Sequence, residues 1–157
     1  APDVMARTID PGDFLRFASG RLASSFVTSQ AGLDAGLSGM DQTHDPDGRY
    51  RVNEFCCRDD TWRATVVELM DRADVVLMDL RKLTRERGGC EFELRQLAHR
   101  LPAGRVVLVI DQDTDSQLIH AAMPHLPVMI TLKNGNPAET EALFAALLRA
   151  AELQAAG

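Results

Sequence analysis

Glu93 is where this sequence offers chemistry, because a carboxylate fixed on a helix beside a strand end can serve as a nucleophile or a base. It lies in the stretch 73–101, which reads ADVVLMDL, RKLTRERGG, CEFELRQLAHRL. Asp79 ends the apolar run of that stretch, two residues before Arg81. It reads either as an acceptor for a substrate hydroxyl or as the ion-pair partner of Arg81. Gly88 and Gly89 allow close approach of a ligand to the backbone, and the helix N–H groups beyond them suit a phosphate. The structural alternative for Glu93 is a carboxylate in a helix's first turn, where the macrodipole favours negative charge.

The elements that position these residues follow from periodicity. Residues 75–80 are short and rich in Val and Leu, as a buried strand is. An amphipathic helix is expected from near Cys90, with Cys90, Leu94, Leu97, Ala98 and Leu101 on one face. Glu93 then sits beside that stripe in the first turn, close to the carboxyl edge of the strand. In an open α/β sheet that edge is where ligands bind.

Before this stretch, residues 10–22 predict a helix, 24–28 a short strand, and Ser29 the cap of a helix carrying Leu33, Leu37 and Met40. A turn follows at 44–48, a strand at 50–57, and a helix from Asp59 or Asp60 with Trp62, Val66, Leu69, Met70 and Ala73 on one face. After it, 105–110 (RVVLVI) reads as a strand buried on both faces, and Asp113 or Asp115 opens a helix through Met123. A strand at 127–133, a turn at 134–137 and a long helix with Leu143, Phe144, Leu147, Leu148 and Ala151 end the chain. Alternation of this kind predicts an α/β fold, a doubly wound five-stranded parallel sheet in the order 2-1-3-4-5. An extra helical extension occupies 1–23, and 24–157 forms the domain. The switch point of that order brings Thr28, Ser29, Arg81 and the start of the Glu93 helix around one crevice.

The segment Gly89-Cys90-Glu91-Phe92-Glu93-Leu94 resembles the G-T-x-F-E-L segment of nucleoside 2-deoxyribosyltransferases, and Cys90-x-x-Glu93-Leu94 is similar to the W-C-x-x-E-L segment of TIR domains. Gly89 stands where a TIR domain has tryptophan. The resemblance implies a flavodoxin-like fold in which Glu93 starts the helix after the third strand. It also implies an N-glycosidic reaction on a nucleoside, nucleotide or NAD, with Glu93 attacking or stabilising the anomeric carbon. Thr28, Ser29, Asp79, Arg81, Gly88 and Gly89 would then line the ligand. The alternative is a non-catalytic signalling or regulatory module, cytosolic, in a larger protein that is itself membrane-bound.

Other constellations are weaker. Asp111-Gln-Asp-Thr-Asp115 has the look of a magnesium-binding phosphatase loop but sits on the wrong strand, so solvated carboxylates and a helix cap account for it. The cysteines Cys56, Cys57 and Cys90 include no C-x-x-C pair and read as small buried apolar residues in a reducing compartment, not as a metal site. No cofactor is implied. A net charge of −6 argues against broad binding to nucleic acid or to an anionic membrane surface. The 45% hydrophobic and 25% charged composition is that of a soluble globular domain, and no apolar run approaches the roughly 20 residues that span a bilayer. The chain starts without Met or a signal peptide, as a piece of a longer protein would. Expected partners are a nucleotide or nucleoside, a second copy of the chain, or the parent membrane protein.

Overall fold

The computed structural model describes residues 26–48, 50, 52–84, 88–133 and 135–155, without side chains at 154 and 155. The expected helix at 10–22 and the extension 1–23 lie outside the described residues. The chain divides into two compact units between Thr65 and Val66.

In the second unit, β3 (Val76–Asp79), β4 (Val106–Ile110) and β5 (Val128–Thr131) form a parallel sheet in the order β3-β4-β5. The connecting helices are α3 (Gly88–Arg100) and α4 (Ser116–Ala122), and α5 (Pro137–Ala155) follows β5. Val106 to Val109 are all buried, as the unbroken apolar run of β4 requires when both faces are covered. Alternate residues serve opposite faces. Val106 and Leu108 join Leu94, Leu97, Leu101, Ile119, Ala122 and Met123 in the larger core. Val107 packs on the other side with Ala146 and Ala150 of α5.

The stripe read on α3 is the one that packs: Leu94, Leu97 and Leu101 are buried, with Cys90 and Ala98 against the same core. In α5 the buried positions are the alanines, flanked by Leu143 and Leu147, while Phe144 and Leu148 stay exposed. Small side chains let a helix lie close to a strand, so the register of α5 is decided by fit and not by bulk. The helix starts on a reciprocal cap. Asn136 Oδ1 accepts the Glu139 N–H at 3.0 Å, and Glu139 accepts from the Lys133 and Gly135 N–H groups.

In the first unit, β1 (Phe26–Val27) and β2 (Cys56–Cys57) pair in parallel, joined through α1 (Gln30–Ser38), and Thr61 leads into α2 (Trp62–Arg72), which begins later than the Asp59 or Asp60 expected to open it. The Ser29 hydroxyl caps α1, accepting the Gly32 N–H at 3.2 Å. Gly36 lies close under Phe55, where a Cβ would meet Phe55 Cε1 at a tight 3.0 Å. The turn at 44–48 forms as expected, with Gly48 at φ +80 and its N–H bonded to Asp45 O.

The single five-stranded sheet is not what forms. Among the described residues there are two parallel sheets, of two and three strands, and β1 is bonded to β2 but not to β3. The segment 24–28 is therefore not a central strand. Its described strand is two residues long and Phe26 is 38% exposed, where a central strand would be covered on both faces. The strand expected at 50–57 shrinks to Cys56–Cys57, because Tyr50 and Val52 face water instead of a sheet. A two-residue ladder offers too few hydrogen bonds to hold further neighbours.

Candidate functional site

Asp79 and Arg81 occupy each other. The Arg81 guanidinium grips both carboxylate oxygens, Nε to Oδ1 at 3.0 Å and Nη2 to Oδ2 at 2.6 Å, and the Arg81 N–H also donates to Oδ1. These bonds hold the Asp79 carboxyl below the usual aspartate range, against a smaller opposing effect of burial. The two side chains are about half exposed, so the pair is a surface clamp and not a buried charge.

The chain beyond β3 is tied to the end of β4. Leu80 and Leu83 are buried, and between them Lys82 adopts φ +59, an uncommon conformation for a residue with a Cβ. The Lys82 N–H donates to Asp111 Oδ1 at 3.1 Å, the Asp115 N–H donates to Leu83 O at 3.0 Å, and the Thr114 hydroxyl lies 3.1 Å from Leu80 O. Asp111 Oδ1 also receives the Asp113 N–H, and Thr114 Oγ1 lies 2.8 Å from it. The Lys82 N–H is the largest cause of the lowered pKa of Asp111. Asp115 caps α4 by accepting the Gln117 N–H. The aspartates read as solvated loop carboxylates thus divide into a cap, Asp115, and a structural acceptor, Asp111.

Glu93 lies in the second turn of α3, because the helix begins at Gly88 and puts Glu91 in the first turn. Neither Gly88 nor Gly89 has a positive φ, and a Cβ at Gly88 would meet nothing within 4 Å. These glycines are helix residues and not a left-handed cradle. The macrodipole weakens beyond the first turn, and the direction of the Glu93 pKa is opposite to a dipole's effect: burial raises it above the usual glutamate range. Among the described residues no hydrogen bond or ion pair compensates that burial. Glu91, by contrast, pairs with Arg95 at 2.6 Å on the solvent side.

Thr28 and Ser29 belong to the first unit, whereas Asp79, Arg81, Gly88, Gly89 and Glu93 belong to the second. The β1–β3 pairing that would define a shared crevice is not formed. Within the first unit Thr28 is exposed, and Ser29 lines a cavity of about 200 Å³ with Leu33, Asp60, Thr61 and Thr65. Thr61 is the residue that sequence reasoning missed there. Its hydroxyl donates to Val27 O at 2.6 Å and accepts the Arg58 N–H, tying the end of β1 to the turn before α2. A threonine directly ahead of a helix was the available signal. The buried Thr65 hydroxyl is satisfied by Thr61 O.

In the second unit an apolar groove of about 340 Å³ lies before β4 and β5, lined by Leu101, Pro102, Met123 and His125. Neither it nor the first cavity is lined by Glu93. The cysteines are not the buried residues expected: Cys56 is exposed, Cys57 and Cys90 are part-exposed, and all three are free thiols. Among the described residues no group of three or more His, Cys, Asp or Glu side chains could hold a metal, and no helix is long and apolar enough to cross a membrane. Comparison of the chain with protein-family models, with curated proteins and with solved structures finds no match.

Proposed function

We propose that this chain is a TIR-like module that binds a nucleoside or nucleotide and cleaves its N-glycosidic bond through Glu93. One observation carries the reading. Glu93 is a half-buried carboxylate whose burial raises its pKa and which has no compensating partner among the described residues. A carboxylate kept so at a stability cost is a candidate for function. Partly shielded from water, it interacts more strongly with the positive charge that develops on the sugar than a fully solvated carboxylate would. In the step proposed, the bond from the anomeric carbon to the base nitrogen breaks and its electron pair leaves with the base; the base of a nucleoside takes a proton from water, whereas the nicotinamide of NAD leaves neutral and the proton of the attacking water passes to solvent. Glu93 bonds to, or stabilises, the anomeric carbon until hydroxide from that water replaces it. The test is incubation with NAD and a panel of nucleosides, with chromatography of the released base. Release by the wild type that falls at least about a hundredfold in Glu93→Gln supports the reading, and equal release from both refutes it.

A second reading, a non-catalytic regulatory module on the cytoplasmic side of a larger membrane-bound protein, is favoured by a different observation. Asp79 and Arg81 are spent on each other, and the connection after β3 is bonded to the end of β4. Saturable nucleotide binding without base release would select it.

A further inference from the structure

Among the described residues, every rung of the ladder in the first unit falls on a cysteine. Phe26 pairs with Cys56 and Val27 with Cys57, and β2 contains no other residue. Both thiols are free. Cys56 is exposed and Cys57 part-exposed, with its Sγ 3.8 Å from Phe55 O. The ladder holds the end of β1, where Val27 O accepts the Thr61 hydroxyl and Val27 lines the cavity that Ser29, Leu33 and Thr61 share. The proposed chemistry uses neither cysteine.

Strand and disulfide exclude each other at these two positions. Successive side chains of an extended strand point to opposite faces, which keeps neighbouring sulfurs apart. Adjacent Cα atoms are about 3.8 Å apart, below the roughly 4.4 Å at which ordinary disulfides begin, so a bond between neighbours bends the backbone out of the extended form. A ladder this short offers little resistance to that change. The resulting bond is strained and exposed, and such disulfides are the ones readily reduced again.

We propose that Cys56 and Cys57 form a thiol–disulfide switch: oxidation joins them and releases β2 from β1, and reduction restores the ladder. The oxidant is a low-molecular-weight disulfide of the glutathione type. The exposed Cys56 thiolate attacks one of its sulfurs, forming a mixed disulfide and expelling a thiolate that takes up the proton Cys56 lost. The Cys57 thiolate then attacks the Cys56 sulfur, closing the bond between the neighbours and expelling the second small thiol with the proton from Cys57. Two protein thiols are oxidised, and one small disulfide is reduced to two thiols. None of this depends on the reading of Glu93.

The test is incubation of the full chain with oxidised glutathione, followed by peptide mass mapping and amide exchange. The expected product is a fragment holding Cys56 and Cys57 that is lighter by two hydrogens and regains them in excess reduced glutathione. Exchange of the ladder amides within 26–27 and 56–57 should rise at least about tenfold on oxidation, while the Leu80 amide of the second unit keeps its rate. Cys57→Ser should stop at one glutathione on Cys56 with the ladder amides unchanged, which separates ring closure from modification as such. A wild type that does not react, that stops at the mixed disulfide, or that pairs either cysteine with Cys90 or with another copy overturns the proposal. So does a closed Cys56–Cys57 bond with no change in exchange.

Discussion

Leu108→Ala tests the architecture of the second unit most directly. Leu108 is fully buried at the middle of β4, in register with Met78 on one side and Met129 on the other. Truncation removes three carbons, worth roughly 2.4 kcal/mol at about 0.8 kcal/mol per buried methylene. Close-packed neighbours cannot fully collapse into the space, and the cavity raises the expected loss to about 3–4 kcal/mol. Leu148→Ala is the internal control, since the same chemistry at a side chain 51% exposed on α5 should cost about 1 kcal/mol or less. Urea unfolding followed by circular dichroism gives the totals. Exchange of the Leu80 amide, bonded to Val109 O at 2.8 Å, reports the second unit separately from the first. A Leu108→Ala loss below about 1 kcal/mol, or equal losses at the two leucines, would refute a β4 covered on both faces.

Other outcomes follow from the site. Glu93 has a raised pKa when folded, so its contribution is intact below the unfolded pKa and is lost as pH rises through the folded value. Glu93→Gln should therefore flatten the pH dependence of stability above the usual glutamate range and leave the protein no less stable at neutral pH. A destabilised Gln variant at pH 7 would mean that a favourable partner of Glu93 exists after all. Asp79 behaves oppositely, because its pKa is lowered: its pairing with Arg81 stabilises above the unfolded value and is lost as pH falls through the folded one. With both side chains half exposed, Asp79→Asn should cost under about 1 kcal/mol at pH 7 and less in high salt. Gly88→Ala should raise stability by up to about 1 kcal/mol, as alanine does in an open helical position, and a loss seen by thermal unfolding would restore a special role to that glycine. Thr61→Val should destabilise the first unit by about 1–2 kcal/mol through the lost bonds to Val27 and Arg58, read from amide exchange in α1.

Local pattern made some features of this chain legible in its sequence. The run VVLVI, short and β-branched, read as a strand covered on both faces, and it is one. The spacing of Cys90, Leu94, Leu97, Ala98 and Leu101 picked out the face of α3 that packs, because helical period and burial are properties of adjacent residues. Ser29 and Asp115 were readable as caps for the same reason. That Glu93 belongs to the helix following β3 was readable too, but its state was not. Whether a carboxylate is welcomed by a dipole or stranded by burial depends on where the helix starts and on what packs over it, and only the fold sets those. Strand partnership lay equally beyond the sequence. Phe26 and Val27 contribute two residues to a ladder, and a ladder's neighbours are chosen by hydrogen bonds between distant segments and not by composition. The bond from Lys82 to Asp111 is the clearest case. Neither residue's surroundings in sequence announce it, and it exists because parallel pairing of β3 with β4 brings the ends of two strands side by side.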